Sequence, residues 1–365
     1  MILRTEEILD AVTVMRQLLS SSFKNSTNTL LQLKTDQNRL MFHMSDSTYD
    51  VKFSVPCNEE MNATIDADLF LSLIPKITSE TIELEIANNI LLVKSSGVYK
   101  FPLVYKNDVI FEISDIPIDN VTKTWTVDGN ILNSILVNNS KQLTLGVITA
   151  PVQRLFYVDR EGAITFTTGA CVNKFDFGAD VKVLLPETAV KSFSLFKGKQ
   201  VEATLGYDAV SNSFLQPKIR LKSDNLTCTY ILPFDDASLA SVPVDNIRKM
   251  ALDTYDNSIV LDCEELDGTF ERISVFADRS SSKNIMFEFD KNLVTISTLD
   301  GEVKEQIYTN DYVSSPTKFV VDLRDLRYTV VGSSKHTTLN FSADSPAIIF
   351  NTLGVYHVIP KIQED

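Results

Sequence analysis

The chain has 365 residues, of which 44% are apolar and 22% charged, with a formal net charge of −14. Its length suits two or three domains of roughly 100–200 residues, and its acidity excludes a uniformly basic surface of the kind that grips nucleic acid. No apolar run approaches the ~18 residues of a membrane helix and no secretory leader is read, so a soluble, cytoplasmic protein without a membrane partner is expected.

The first helix is read from about residue 5 to 21, where Ile8, Leu9, Val12, Met15 and Leu19 recur at helical spacing. Strands follow at 29–34, 39–45 and 48–55. The plan then repeats with a strand at 63–65, a helix through Phe70 and Ile74, and strands at 81–86, 90–94 and 98–105. Residues 107–120, less periodic and holding Pro117, read as a linker. A third and a fourth repeat span 123–179 and 181–231, with helices at about 129–143 and 187–197; Pro186 suits a first helical turn. A second linker, 233–246, carries Pro233 and Pro243, and the fifth helix is placed at 264–279. In the last repeat, Phe319, Val320 and Val321 run into Asp322, an N-cap with Asp325 three residues on, much like a capping box. Leu323, Leu326 and Val330 then keep helical spacing up to Gly332, and strands at 336–342, 347–353 and 355–362 follow.

Six repeats of strand, helix and three strands are therefore expected. The last apolar residues of the entering strands are Leu3, Ile65, Val127, Leu185, Leu261 and Val321, at intervals of 62, 62, 58, 76 and 60 residues. Five positions beyond each stands another apolar residue: Ile8, Phe70, Leu132, Val190, Leu266 and Leu326. Four further on, Val12, Ile74, Leu136, Phe270 and Val330 continue the face, whereas the fourth repeat has Ser194 beside Phe193. Periods of this kind mark supersecondary units that cannot bury their apolar faces alone. Linkers after every second repeat divide the chain into three domains near 1–118, 119–245 and 246–365, each an α+β array of two helices and roughly eight strands. The outermost strands of such sheets must be covered or joined to another chain.

A threefold array of domains of about 120 residues, each an internal duplicate, resembles the bacterial DNA polymerase sliding clamp, the polymerase III β subunit family, which includes phage members. The stretch from Leu155-Phe156 to Gly169 resembles the family's second-domain hairpin, which ends in Thr-x-Gly, here Thr167-Thr168-Gly169. Where the family commonly continues His-Arg-Leu, this chain has Ala170-Cys171-Val172. Tyr356-His357-Val358-Ile359-Pro360 resembles the family's terminal strand, and Lys361 to Asp365 runs on past it. The resemblance implies a head-to-tail homodimer whose six domains close a ring around double-stranded DNA, with the helices lining the hole. It implies a processivity factor that tethers the replicative polymerase and is not an enzyme. It also implies that polymerase and clamp loader bind through linear peptides in an apolar pocket between the second and third domains. Its walls would be Thr167, Gly169, Ala170, Val172, Val242, Pro243, Val358, Ile359 and Pro360.

Such a ring needs a positive lining, because phosphate contacts dominate affinity that ignores sequence. Past the first turn of the proposed helices stand Arg16, Lys76, Lys141, Lys191, Lys197, Lys199, Arg272, Arg279, Arg327 and Lys335, against the acids Asp10, Glu271 and Asp278. Lys24 follows the first helix. Helix dipoles alone favour bases in last turns, and Glu264, Glu265 and Asp267 make the fifth helix a poor DNA face. Nucleophile–base sets, phosphate-binding glycine loops and metal-ligand spacings are missing from the sequence, so no cofactor or metal is expected. Cys57, Cys171, Cys228 and Cys263 stand singly and read as reduced thiols, and His43, His336 and His357 as structural residues in strands. Asp235-Asp236 reads as solvated linker and Trp125 as core. The alternative is a structural or adhesive β-repeat protein of a virion or surface. It accounts for strands and acidity but not for a helix at the same point of every repeat.

Overall fold

The computed structural model describes residues 1–22, 29–46, 48–139, 155–166, 169–207, 216–232, 242–277, 283–326, 329 and 334–362. Repeat one is β1 (Ile2–Arg4), α1 (Thr5–Ser22), β2 (Leu30–Asp36), β3 (Arg39–Ser45) and β4 (Tyr49–Pro56). Repeat two is β5 (Asn62–Asp66), α2 (Ala67–Leu73), β6 (Thr81–Ala87), β7 (Ile90–Lys94) and β8 (Val98–Pro102). The strand expected at 98–105 thus stops at Pro102, and a small hairpin, β9 (Tyr105–Lys106) with β10 (Val109–Ile110), opens the first linker. Repeat three is β11 (Asn120–Asp128), α3 (Gly129–Asn139), β12 (Leu155–Asp159), β13 (Gly162–Phe166) and β14 (Ala170–Lys174). Repeat four is β15 (Val183–Pro186), α4 (Glu187–Lys191), β16 (Gln200–Tyr207), β17 (Lys218–Lys222) and β18 (Leu226–Ile231).

The second linker needs correcting. From Val244 to Leu252 the chain is helical (α5), with Val244 and Ala251 buried seven residues apart and Pro243 just before the first turn. Repeat five is β19 (Asn257–Asp262), α6 (Cys263–Ala277) and two long strands rather than three, β20 (Asn284–Thr298) and β21 (Lys304–Asp322). The end of β21 enters repeat six, followed by α7 (Leu323–Leu326), β22 (His336–Phe341), β23 (Ala347–Thr352) and β24 (Val355–Pro360). The last turns expected for the third, fifth and sixth helices, with Val330 and Gly332, lie outside the described residues.

The repeats share a local cause. In four of them the last apolar residue of the entering strand is followed by Asp, which caps the helix. Asp66 Oδ1 accepts the N–H groups of Asp68 at 3.0 Å and Leu69 at 3.3 Å. Asp262 Oδ1 accepts those of Glu264 at 2.9 Å and Glu265 at 3.0 Å. Asp128 and Asp322 each take one, from Asn130 and Arg324, both at 2.8 Å. The carboxylate satisfies donors that a helix start leaves unpaired, and each cap stabilises by about 0.5–2 kcal/mol. Leu3, Ile65, Val127, Leu185, Leu261 and Val321 are all buried, as are the six apolar residues five positions on. In the fourth repeat α4 tightens into a 3-10 helix, Ser192–Phe196. Three residues per turn put Val190, Phe193 and Phe196 on one buried face, which is why Ser194 falls off it.

The chain folds as two compact units, Met1–Asn133 with Thr188–Asp236, and Ser134–Glu187 with Ala237–Asp365. The first unit holds an eight-stranded antiparallel sheet, β11-β16-β17-β18-β4-β3-β2-β5, and a four-stranded sheet, β1-β6-β7-β8. The second holds the eight-stranded sheet β15-β12-β13-β14-β24-β23-β22-β19 and the hairpin β20-β21. Each large sheet joins two repeats three apart: one with four through β18–β4, and three with six through β14–β24. Entering strands are exchanged within successive pairs of repeats. β1 lies on β6 and β5 on β2, β11 on β16 and β15 on β12, β19 on β22 and the end of β21 on β20. In the second unit Phe287, Phe289, Phe319 and Phe341 stack beneath α6, with the Phe289 and Phe341 centroids 4.3 Å apart. Trp125 is buried, the four cysteines are buried and unbridged, and no helix among the described residues is long and apolar enough to cross a membrane.

Candidate nucleic-acid surface and partner groove

The basic side chains singled out in the sequence sit mainly at helix ends. Arg16 on α1, Lys76 in the 3-10 turn after α2, Lys197 and Lys335 are exposed, while Lys191 and Lys199 are half-buried. Gln17 Nε2 donates to the Lys191 carbonyl at 3.0 Å and to Ser194 Oγ, which sets Arg16 and Lys191 on adjoining segments of the first unit. Arg272 is exposed but held by Glu305, Nε to Oε1 at 2.8 Å and Nη2 to Oε2 at 2.7 Å. The hydrogen bonds from Arg272 hold the Glu305 carboxyl below its ordinary pKa, so this guanidinium already has an anion. Lys24, Lys141, Arg279 and Arg327 lie outside the described residues.

The residues expected to wall a partner pocket gather where β14 pairs with β24, with Ala170 opposite Val358 and Val172 opposite Tyr356. Gly169 is required there: a Cβ would stand 2.0 Å from the Val358 carbonyl oxygen. Ala170, Val172, Val358 and Ile359 are buried in the sheet, Gly169, Val242 and Pro360 are half-buried, and Pro243 is exposed. Thr167 lies outside the described residues.

Beyond Pro360 a cavity of about 410 Å³ opens over Phe319, lined also by Met286, Lys318, Pro346 and Lys361. The backbone following β24 forms its rim: Lys361 N–H donates to the Pro346 carbonyl and Ile362 N–H to that of Val320, each at 2.8 Å. The Lys361 ammonium lies 5.3 Å from the Phe319 ring centroid and donates to the carbonyls of Ser342 at 2.6 Å and Ala343 at 3.2 Å. Desolvation lowers its pKa, against the opposing field of Asp344. From sequence, residues 361–365 read only as an extension; no periodicity marks a lysine folded back on a phenylalanine.

A second cavity, about 620 Å³, lies by Arg160, Lys174, Asp176 and Arg248. Arg248 of α5 grips Asp159, Nη1 to Oδ2 at 2.7 Å and Nη2 to Oδ1 at 2.5 Å, and lies 6.0 Å from the Tyr157 centroid. Burial works to raise the Asp159 pKa, but the Arg248 bonds and the Glu161 N–H prevail and hold it low. Among the described residues one group, His43, Asp50 and Asp115, has the composition of a metal site. His43 Nε2 is 2.9 Å from Asp50 Oδ2, and the Lys52 ammonium sits 2.6 Å from Asp115 Oδ2, a cation already in place. With the Ile116 N–H donating to Asp50 at 3.3 Å, the group clasps the first linker to β4.

No family model matches the chain, and no curated protein matches it. Solved structures do. The DNA polymerase III β subunit of Pseudomonas aeruginosa covers 100% of this chain and 100% of its own length at 13% identity, with a TM-score of 0.75. The β subunit of Thermotoga maritima covers 100% and 99% at 15% identity, with a TM-score of 0.74. The β clamp of Helicobacter pylori bound to a DNA ligase peptide covers 100% and 100% at 16% identity, also at 0.74. The chain has the sliding-clamp fold.

Proposed function

We propose that this chain is a DNA polymerase processivity clamp that encircles double-stranded DNA as a head-to-tail homodimer and tethers polymerase and clamp loader through linear peptides. The observation that carries the reading is likeness to sliding clamps along the whole chain, with no segment left over. Three domains, near 1–118, 119–245 and 246–365, are supported by the exchange of entering strands within the repeat pairs one–two, three–four and five–six.

The homodimer is supported by the sheet order. Odd repeats join the repeat three places on, one to four and three to six. Repeat five continues that rule with the eighth place, which is repeat two of a second copy. Among the described strands, β8 of repeat two and the β20–β21 hairpin of repeat five end their sheets without a further neighbour. Val275 and Phe276 of α6 are exposed beside that hairpin's repeat, and Val98 is exposed on β8. Arg16, Lys76, Lys191, Lys197, Lys199 and Lys335 supply a modestly basic lining for a clamp that slides rather than grips. A structural β-repeat protein would have no use for a helix at the same point of each repeat.

Direct affinity for short linear duplex should be weak and fall with salt. Loaded on nicked circular DNA by an ATP-driven loader, the chain should stay bound in salt that strips it from linear DNA. Equal loss from both would refute encirclement.

A further inference from the structure

We propose that His43, Asp50 and Asp115 bind a divalent transition metal of the zinc type, which staples the first linker to the large sheet of the first unit. The proposal does not depend on the clamp reading. Alternation along β4 puts Asp50 and Lys52 on one face, and His43 of β3 stands opposite Lys52 on that same face. The linker supplies the third group. Its backbone is fixed on both sides of Asp115. The Ile113 N–H donates to Gln32 Oε1 at 3.2 Å, the Ile116 N–H to Asp50 Oδ2 at 3.3 Å, and Lys218 Nζ to the Pro117 carbonyl at 3.1 Å. The Asp115 carboxylate is thereby held over β3 and β4.

Donor set, spacing and charge agree on the ligand. One imidazole nitrogen and two carboxylates each offer an atom, and these atoms lie within 4.8 Å of one another. His43 Nε2 is 2.9 Å from Asp50 Oδ2 and 3.7 Å from Asp115 Oδ1. Zinc bonds of about 2.0–2.1 Å at tetrahedral angles set ligand atoms about 3.3 Å apart, midway between those distances, so small side-chain shifts suffice. The side chains of His43 and Asp50 are 6% and 4% exposed. Among the described residues, Asp50 has only His43 Nε2 and the Ile116 N–H as partners, while the Lys52 ammonium is bound to Asp115 at 2.6 Å. Two carboxylates against one ammonium leave a negative charge over in a buried place, which is costly. A divalent cation in place of the ammonium makes the group neutral. The imidazole then keeps its proton on Nδ1 and coordinates through Nε2. Lys52, already 24% exposed, turns to water, and the exposed side of Asp115 leaves a fourth position for a water ligand. Magnesium and calcium take six or more oxygens, whereas an imidazole nitrogen suits zinc and its neighbours.

The probe is Zn²⁺ itself, titrated by calorimetry into the whole chain after chelation, with Co²⁺ as its spectroscopic stand-in. The unaltered chain should take up one equivalent with a dissociation constant of about 10 μM or lower, and saturating Zn²⁺ should raise its melting temperature. Co²⁺ should give the intense visible bands of a four-coordinate site. Asp115→Asn, at an exposed side chain, should weaken zinc uptake at least about 30-fold and abolish the rise in melting temperature. Lys52→Met removes the competing cation and should tighten binding about two- to fivefold. An ion-pair network that holds no metal gives no stoichiometric uptake, or uptake that Asp115→Asn leaves unchanged, and either result overturns the proposal. So does weaker binding by Lys52→Met, or a cobalt spectrum with only the pale absorption of six-coordinate ions. If Asp115→Asn does not fold, Lys52→Met and the cobalt spectrum decide the matter. Retention on circular DNA reports separately on the clamp.

Discussion

Among the described strands, four repeats finish their sheets against another repeat, and two finish in open edges. At β18–β4 the paired residues Leu226 and Phe53, Cys228 and Val51, Tyr230 and Tyr49 are all buried, and at β14–β24 so are Ala170, Val172 and Val358. On β8, by contrast, Val98, Lys100 and Pro102 are exposed and Phe101 alone is buried. On β21, Tyr308 and Tyr312 are exposed at 71% and 69%. The repeat is the same unit in both settings; what differs is whether the last strand is paired within the chain, with one apolar face fully buried. A strand whose apolar face is fully buried is paired within its own chain, whereas an edge strand with exposed polar groups can stand in water.

The largest effect expected on this comparison is at a closed junction. Ala170→Arg forces a charge into a sheet where the native residue is 5% exposed, and should cost at least about 3 kcal/mol, read as a large fall in melting temperature or loss of soluble protein. A variant that melts normally would mean that the junction opens readily enough to serve as the pocket itself. At an open edge the outcome should invert. Val275→Asp with Phe276→Asp, at residues 56% and 41% exposed, should leave the melting temperature of the chain within a few degrees. It should weaken self-association about a hundredfold or more, so that light scattering at micromolar concentration reports 40.9 kDa instead of twice that mass. An unchanged dimer would place the interface elsewhere.

The smallest effect concerns the Arg248–Asp159 pair, which ties α5 to β12. Its folded carboxyl titrates below the ordinary value of about 4, so its stabilisation is complete above that pH and is lost as pH falls through the lower folded value. The urea midpoint of the unaltered chain should exceed that of Asp159→Asn by a constant margin above about pH 5, and the two should converge toward about pH 2. A margin independent of pH would show that packing, rather than charge, holds the helix.

Much of the architecture was legible because it is local. An apolar residue ending a strand, a second one five places on and a near-constant period locate the helix that follows the entering strand in each of the six repeats, and the Asp caps at 66, 128 and 262 repeat the signal at Asp322. The failures have local reasons too. α5 is short, follows a proline and mixes Asp245, Arg248 and Lys249 with its apolar residues, so it resembles a linker in sequence, and its hold on β12 comes from Asp159, 89 residues away. The candidate site was half visible. The turn glycine and the terminal strand could be matched to a family pattern, but their neighbours Ala170 and Ile359 turned out to pack inside a sheet.

Composition and periodicity thus determine the helix of each repeat, since its apolar face answers to residues within about nine positions of one another. Which repeats merge is another matter. The junctions bring Leu226 to Phe53 and Ala170 to Val358, pairings across more than a hundred residues that no local pattern encodes. The same holds for the groove. A lysine after a terminal strand is ordinary in sequence, and comes to lie over an aromatic ring only because β21 sets Phe319 beneath it and the turn after β22 offers two carbonyls to its ammonium. Side-chain placement of this kind is decided by long-range burial and hydrogen bonding, which act only once the sheets have closed.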